Sequence, residues 1–556
     1  MTIIINRNIL PEFMGELLMK SKVLFIMNLI IILIFSNGCV EKKANSLILE
    51  NKAKSSIVYS INKFPEDLLQ LNSSSTNDKD ILLALFEGLV KKDENGDVVP
   101  AIAESIIEGK DNITYTFKLR ENAKWNDGKE ITAEDFVTFF QDILNPRLKN
   151  NYVSQLNSIF GVQDYINGKK SFNGVAIRAV DKKTLEIRLN SPTSCFLQIL
   201  SEPIFTLRKI DTNLKDWKNA YNNINYTGPY KLGNIYNGAE LTLIKNDNYY
   251  AKNEVKSEKL YITTNASTEN AMASFKNNKI SLFLNPPVSE NKNLIINGEE
   301  EIIPVNIGWS LNFNFKKAGI VNDIDFRRAL SLAINREKIA ENNLNNTARA
   351  AFAYVPKEDT ANSQVFNDNN YIKEDNDAPL SKKLLLNSKY DKKEKVSFIY
   401  IDNDDNKRIV DAVAKNIKEV LDINIDYKGY SEKEFNDLLI NGRYNIALSE
   451  YTSLYNDAAS FLEHWVSNSK ANIFGYNNSQ YNEFIFKANL EGDKQKRTEY
   501  IKKGEAILLS DMPNIPLFFQ NIILCKKADI KGVYILKEGN VKLDKAYIEN
   551  TSNTKN

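Results

Sequence analysis

At 556 residues the chain is too long for one compact core, so its length predicts two or three folding units. The 72 Lys and Arg residues balance 71 Asp and Glu residues, and without a clustered basic face nucleic-acid binding has no support. One histidine, His464, and three cysteines exclude His-rich or Cys-rich metal sites of the usual spacings, so no metal or other cofactor is expected. The sequence contains no G-x-S-x-G or Walker motif, and an enzyme is therefore not expected.

The N-terminal segment has the features of a secretory signal. A basic start at residues 19–22 precedes an apolar run at residues 23–35, and the pair Gly38-Cys39 follows. This ending resembles a bacterial lipoprotein signal, in which the cysteine is lipidated and becomes the mature N-terminus, although Ser36 stands where an apolar residue is usual. The alternative is a transmembrane anchor, but the run of about 13 residues is shorter than the roughly 20 that span a bilayer.

These features predict the processing of the chain. We expect residues 1–38 to be a signal peptide, Cys39 to carry the lipid and residues 39–56 to tether the folded part to the membrane. The first 18 residues fit no signal, so Met19 is the simpler start.

Residues 85–146 predict two turns, a strand and a helix. Residues 113–119 alternate between apolar and polar side chains, as a half-buried strand does. Thr132 and Asp135 form a capping-box pattern, and a helix over residues 133–144 should follow. The side chains expected to be buried on this helix are Phe136, Phe139, Phe140 and Leu144.

The same residues carry a resemblance to a known family. LFEGLV, VVPAIAES and YTFKLRENAKWNDGKEITAEDF are similar to the opening signature of the oligopeptide-binding proteins, the extracytoplasmic family 5 solute-binding proteins of ABC importers. Further blocks resemble the family downstream in the same order, at residues 174–192, 226–232, 241–250 and 325–336. In the last block the apolar positions predict an amphipathic helix whose arginines lie on its solvated face, with ligand contact as the alternative.

The resemblance implies an α/β, two-lobed periplasmic-binding-protein-like fold of type II, with an extra small domain and a ligand cleft between the lobes. Lobe I would comprise residues 57–85, 217–307 and 521–549, the small domain residues 86–216 and lobe II residues 308–520. Within lobe II, residues 396–427 read as strand, helix and strand, a βαβ unit. The acidic run at residues 402–405 lacks the EF-hand pattern and is expected to be a loop after the first of these strands.

The resemblance also implies a ligand-binding set. Its members here are Tyr152, Tyr451, Tyr455, Asn456 and Asp457. The aspartate that holds the peptide ammonium in the family matches Leu454, and an arginine that the family can carry six residues earlier matches Leu448. Either Asp457 has taken over the role, or the ligand has no free amine at that place.

The expected protein is therefore a monomeric, lipid-anchored, extracytoplasmic binding protein. It would capture oligopeptides or a related small solute by lobe closure, without chemistry, and deliver it to ABC permease subunits. The alternative is a surface lipoprotein of the same fold that senses peptides or contacts a host or cell-wall polymer. Cys195 and Cys525 are expected to be buried apolar residues, with a disulfide between them as the lesser alternative.

Overall fold

The computed structural model describes residues 55–72, 75–290, 294, 298–344, 347–356, 376–392, 394–453, 457–469 and 471–549. Its strands, in chain order, are β1 (Ile57–Ile61), β2 (Val90–Lys92), β3 (Val98–Pro100), β4 (Ala103–Glu108), β5 (Thr114–Leu119), β6 (Ile177–Asp181), β7 (Thr184–Arg188), β8 (Tyr230–Tyr236), β9 (Glu240–Lys245), β10 (Lys259–Thr264), β11 (Leu282–Leu284), β12 (Glu300–Phe313), β13 (Ala348–Ala350), β14 (Val396–Ile401), β15 (Ile425–Tyr430), β16 (Ile446–Thr452), β17 (Asn514–Lys526), β18 (Ile530–Lys531), β19 (Tyr534–Ile535), β20 (Val541–Lys542) and β21 (Tyr547–Ile548).

The α-helices of the described residues, in chain order, are α1 (Thr76–Leu85), α2 (Ala133–Ile143), α3 (Val162–Ile166), α4 (Phe196–Leu200), α5 (Thr212–Lys215), α6 (Trp217–Ala220), α7 (Thr268–Lys276), α8 (Ile324–Ala333), α9 (Arg336–Asn342), α10 (Ala378–Asn387), α11 (Asp404–Leu421), α12 (Glu432–Ile440), α13 (Ala458–Leu462), α14 (Ser479–Leu490) and α15 (Lys494–Asp511). In the part of the chain that the structure describes, none of these helices is both long and apolar enough to cross a membrane.

Two long antiparallel strands, β12 and β17, connect the two halves of the main sheet. Its strand order is β15-β14-β16-β12-β17-β11-β1-β10-β9-β8, and β13 pairs with β17. On one side, β1 lies parallel to β10 and β11. On the other side, β14 lies parallel to β15 and β16. The mixed α/β fold expected from the sequence is therefore confirmed, and its two sets of strands form one continuous sheet.

The pairing of β12 with β17 is irregular where the two halves meet. Pro304 lies opposite Asn521 and Gly308 lies opposite Phe519, and the register shifts between these two pairs. A β-bulge of this kind bends a strand and increases its twist. The predicted boundaries at residues 307/308 and 520/521 lie at this irregularity.

Separate hydrophobic cores lie on the two sides. One core, built on β1, β8, β9 and β10, contains Trp217 and Tyr230. Another packs α8 and α11 against β14 and β16, and includes Phe326 and Val413. The strand, helix and strand predicted over residues 396–427 are β14, α11 and β15, with parallel strands, so the βαβ prediction is confirmed. The acidic run begins after β14, and its last two residues form the first turn of α11 behind the N-cap Asn403.

A third core belongs to a small antiparallel sheet, β4-β5-β7-β6, which α2 covers. The predicted capping box of α2 is present, because Thr132 accepts from the Asp135 backbone N–H and the Asp135 carboxylate accepts from the Thr132 backbone N–H. The four side chains predicted to be buried along and after this helix are buried. Cys195 lies in this core and Cys525 lies in a different one. Both are buried free thiols, so the prediction that they are buried is confirmed and they form no disulfide with each other.

The expected position of the arginines near α8 was wrong for two of them. Arg327 is 5% exposed and Arg336 is fully buried, so neither lies on a solvated face. Arg327 donates to the carbonyl oxygens of Met512, Asp511 and Val321. Arg336 donates to the carbonyl oxygen of Pro516. Most of these carbonyl groups lie just before or at the start of β17, so the two guanidinium groups hold backbone in place and neither face solvent nor contact a ligand.

Candidate ligand-binding cleft

A cavity of about 970 Å³ lies where the two halves of the main sheet meet. Its lining comes from strands, loops and the ends of helices: Ser60, Ile61, Asn62, Lys63, Glu66, Asp67, Leu69, Gln70, Leu71, Asn72, Ser75, Asn77, Asp78, Arg147, Leu148, Lys215, Thr268, Leu284, Asn285, Ile307, Glu432, Glu450, Gln520 and Ile522. We call this cavity the cleft.

The topology of the sheet explains why the cleft forms there. The carboxyl ends of β1 and β11 contribute Ile61 and Leu284 from one half, and β16 contributes Glu450 from the other. In open α/β sheets, the crevice outside the carboxyl ends of parallel strands is where ligands bind. Ile307 of β12 and Gln520 of β17 also line the cleft. Because β12 and β17 connect the two halves of the sheet, they determine where the two walls of the cleft lie.

The lining is rich in polar groups that suit a polar ligand. Side-chain amides come from Asn62, Asn72, Asn285 and Gln520, and each offers both hydrogen-bond donors and an acceptor. Such groups match a ligand that presents donors and acceptors along its length. The cavity volume is at the upper end of the range that is usual for small-molecule sites, roughly 300–1,000 Å³.

Glu450 stands out among the charged groups of the cleft. It lies opposite Trp309 in the pairing of β16 with β12, and the Trp309 indole N–H donates to Gln520 Oε1 at 3.3 Å. Its side chain is exposed to the cleft, while the walls surround it. This desolvation, together with the negative charge of Glu432, raises the pKa of Glu450 above its ordinary value.

A second cavity of about 370 Å³ adjoins Glu450 in lobe II. Tyr451, one of the residues expected in the ligand-binding set, contributes to its wall beside Leu448 and Trp465. The Tyr451 hydroxyl donates to the Tyr354 carbonyl oxygen at 3.2 Å, so the buried ring is held in place. Burial lowers the pKa of His464, the single histidine of the sequence, whose Nε2 faces the Thr452 carbonyl oxygen at 2.6 Å.

The structure places Asp457 away from the cleft lining. It is 4% exposed, and its two carboxylate oxygens accept from the two terminal nitrogens of Arg497, each at 2.8 Å. One oxygen also accepts from the Ala459 backbone N–H and so caps α13. In this structure the carboxylate already has its counter-charge, and it serves the packing of lobe II.

Tyr152 lies beside the cleft. Its half-buried ring packs against the core of the small domain, with Lys79 Nζ 5.7 Å from the ring centre. Nearby Arg147 and Leu148 contribute to the lining, whereas Tyr152 does not. Tyr455, Asn456 and Cys39, and also Leu454, lie outside the described residues, so these predictions stay predictions.

Sequence reasoning missed Glu450, Glu432 and the amides of the cleft. One signal was available for Glu450, because a carboxylate near the carboxyl end of strand β16 is a typical position for a binding group. The amides carry no such signal, since Asn62, Asn285 and Gln520 come from distant parts of the chain. Among the described residues, no group of three or more His, Cys, Asp or Glu side chains is arranged to hold a metal ion.

Known proteins resemble this chain over most of its length. The oligopeptide-binding protein OppA of Bacillus subtilis (strain 168) is 27% identical over 517 residues, which cover 90% of this chain and 94% of that protein. The probable deoxycholate-binding periplasmic protein YgiS of Escherichia coli (strain K12) is 28% identical over 466 residues, covering 81% of this chain and 85% of that protein. The crystal structure of the periplasmic oligopeptide-binding protein OppAIV from Borrelia burgdorferi superposes with a TM-score of 0.77 at 26% identity, covering 88% of this chain and 99% of that one.

The family assignment follows from a match that spans more than half of the chain. The model of the bacterial extracellular solute-binding proteins, family 5, matches residues 97–472. The names of these three proteins describe binding proteins, for oligopeptides in two cases and, as probable, for deoxycholate in the third. The two-lobed fold implied by the sequence blocks is the fold of these relatives. The chain belongs to family 5 of the bacterial extracellular solute-binding proteins.

Proposed function

We propose that this protein captures oligopeptides in the cleft and delivers them to the permease of an ABC importer. The observation that carries the proposal is the cleft itself, a cavity of about 970 Å³ between strand ends of both lobes with side-chain amides along its lining. Amides of this kind pair with the N–H and C=O groups of an extended peptide backbone. A relative from Bacillus subtilis is an oligopeptide-binding protein, and the Haemophilus influenzae OppA structure holds the peptide RPPGFSPFR.

Binding to the folded protein can be measured directly. A ligand that binds only the folded state raises its stability by about 2.7 kcal/mol at a hundred times its dissociation constant. A thermal-shift screen of di- to nonapeptides should therefore contain members that raise the melting temperature, with deoxycholate as the comparison ligand because one relative carries that description. Stabilisation by deoxycholate and by no peptide would contradict the proposal. Cleavage of a bound peptide, seen by mass spectrometry, would contradict binding without chemistry.

Transport can be tested in the host. Deletion of the gene should lower the uptake of a peptide that the screen identifies, and a plasmid copy should restore it. Normal uptake in the deletion strain, with binding intact in vitro, would favour peptide sensing by a surface protein over import.

We also propose that Cys39 is lipidated and anchors the protein to the membrane. The support is the sequence, in which a basic start and an apolar run precede Gly38-Cys39. A single acyl chain gives only marginal membrane binding, whereas two chains anchor a protein stably. Cys39→Ala should abolish labelling by radioactive palmitate and release the protein from the membrane fraction or leave it unprocessed. Labelling of the variant at the wild-type level would contradict this assignment.

A further inference from the structure

The wall that lobe II contributes to the cleft carries negative charge only. Its ionisable groups are Glu450 at the end of β16 and Glu432 in the first turn of α12. Neither carboxylate accepts a hydrogen bond from, or forms an ion pair with, any of the residues that the structure describes. The opposite wall differs, because it combines the cations Lys63, Arg147 and Lys215 with the acids Glu66, Asp67 and Asp78.

Two like charges that share a cavity wall are unfavourable in the empty cleft. The negative charge of Glu432 raises the cost of ionising Glu450, and the walls of the cleft remove part of the water that would screen the two charges. The raised pKa of Glu450, caused by desolvation and by Glu432, agrees with this geometry. A positive group placed between the two carboxylates would relieve both effects.

The surroundings hold Glu450 at a defined place. Its backbone belongs to the β16–β12 ladder opposite Trp309, and the neighbouring Tyr451 is fixed by its hydrogen bond to Tyr354. The side chain borders both the cleft and the second cavity, so a ligand group at this carboxylate would have room on either side. Other candidates in lobe II do not fit, since Leu448 is apolar and Asp457 is bound to Arg497.

We propose that Glu450, with Glu432 adding to its negative potential, binds a positively charged group of the ligand. The shared chemistry is an ammonium or guanidinium group, which a peptide supplies either at its N-terminus or on a basic side chain. This inference rests on the proposed function, because it assigns one end of the peptide to the lobe II wall of the cleft.

Three tetrapeptide libraries distinguish the two sources of the positive charge. The first has free N-termini and no basic residues, the second has acetylated N-termini and no basic residues, and the third has acetylated N-termini and one lysine. Each is mixed with the protein, and the peptides retained after gel filtration are identified by mass spectrometry. We expect retention from the first library if the N-terminus is bound, from the third if a side chain is bound, and little from the second.

Variants then assign the effect to Glu450. For the best retained peptide, Glu450→Gln should raise the dissociation constant measured by calorimetry about 30-fold or more, the range seen when one partner of a buried charge pair is truncated. Glu432→Gln should have a smaller effect, and Glu450→Asp should keep part of the affinity. The matched control is Glu104→Gln, a change to an exposed carboxylate on β4 in the small domain.

The outcomes separate the two proposals. Equal retention of the second library, together with unchanged affinity of Glu450→Gln, overturns the role of Glu450 and leaves peptide binding standing. Retention of no library, with no stabilisation by any peptide, contradicts the proposed function and this inference with it.

Discussion

At the scale of single residues, Asp457 was predicted to contact the ligand but forms a buried ion pair with Arg497. The two side chains are 6% and 5% exposed and join α13 to α15. Removing one member leaves a buried charge without its partner, which costs about 3–5 kcal/mol. We expect Arg497→Met to lower the free energy of unfolding by about this amount in urea denaturation.

A surface pair provides the comparison. Lys407 and Asp411 also form an ion pair, but both are largely exposed, so Lys407→Met should leave the urea midpoint essentially unchanged. Asp457→Asn should lower stability while leaving the peptide affinity of the folded protein intact. If Asp457→Asn folds normally but no longer binds a peptide with a free N-terminus, the peptide ammonium is bound by Asp457 and this prediction is wrong.

Asp80 gives the protein a pH-dependent stability. Burial raises the pKa of Asp80 to about 7, and its carboxylate accepts from the Tyr59 hydroxyl at 2.9 Å and from the Val541 N–H at 2.8 Å. Because the folded state binds this proton more tightly than the unfolded chain, the contribution to stability is present below about pH 4 and is lost as the pH rises through about 7.

The substitution Asp80→Asn should therefore flatten the pH profile. Melting temperatures measured across this window should fall less with rising pH in the variant than in the wild type. Burial also raises the pKa of Glu505 to about 7, so the double variant Asp80→Asn and Glu505→Gln should be flatter still. Parallel profiles for all three proteins would contradict the assignment.

At the scale of elements, Gly308 lets β12 pass close to the Tyr451 ring of β16. A Cβ atom at residue 308 would lie 2.3 Å from Tyr451 Cζ, far inside contact distance. We expect Gly308→Ala to displace the ring, to lower the free energy of unfolding by about 1–3 kcal/mol and to weaken ligand binding in the cleft. Calorimetric titration with a bound peptide and urea denaturation measure the two effects.

Gly319 is the matched control for this substitution. Its added Cβ atom would meet nothing closer than Glu394 Oε1 at 3.8 Å, which is ordinary van der Waals contact. Gly319→Ala should leave binding unchanged. If both alanine variants bind peptide with wild-type affinity, the position of Tyr451 does not matter for the cleft.

The sequence predicted those elements whose information is local. The capping residues and the apolar positions of α2 lie within about one helix length of each other, and the βαβ unit follows from three adjacent patterns. The buried arginines were not predictable in this way. Arg327 and Arg336 donate hydrogen bonds to carbonyl groups about 180 residues later in the chain. The sequence near each arginine therefore gives no indication of these acceptors.

The cleft was predictable as a place but not as a set of residues. Family-like blocks indicated a ligand site between two lobes, and the structure forms the cleft between strand ends of both. Its lining, however, combines Asn62, Asn285, Glu450 and Gln520, which only the completed sheet brings together. Of the expected set, the described structure places Tyr451 next to the cleft and Asp457 in the packing of lobe II.

At the scale of the whole molecule, we propose that the lobes close around the ligand by bending at the irregular pairing of β12 with β17. Two strands connect the halves of the sheet, and their register shifts between Pro304 and Gly308. Small-angle X-ray scattering should show a smaller radius of gyration when a tightly bound peptide is added, as expected for hinge closure. Glu450→Gln should need a higher peptide concentration to reach the same change. A radius that does not change when the site is saturated would contradict closure.

The continuous sheet also determines when the protein can fold during its synthesis. β17 ends at Lys526, yet it is the partner of β12 and β11, which lie more than 200 residues earlier. A nascent chain that lacks β17 leaves both partners with exposed strand edges, which favour aggregation. Such distant pairing is also slow to form. The topology therefore delays completion of the main sheet until almost all of the chain has been made.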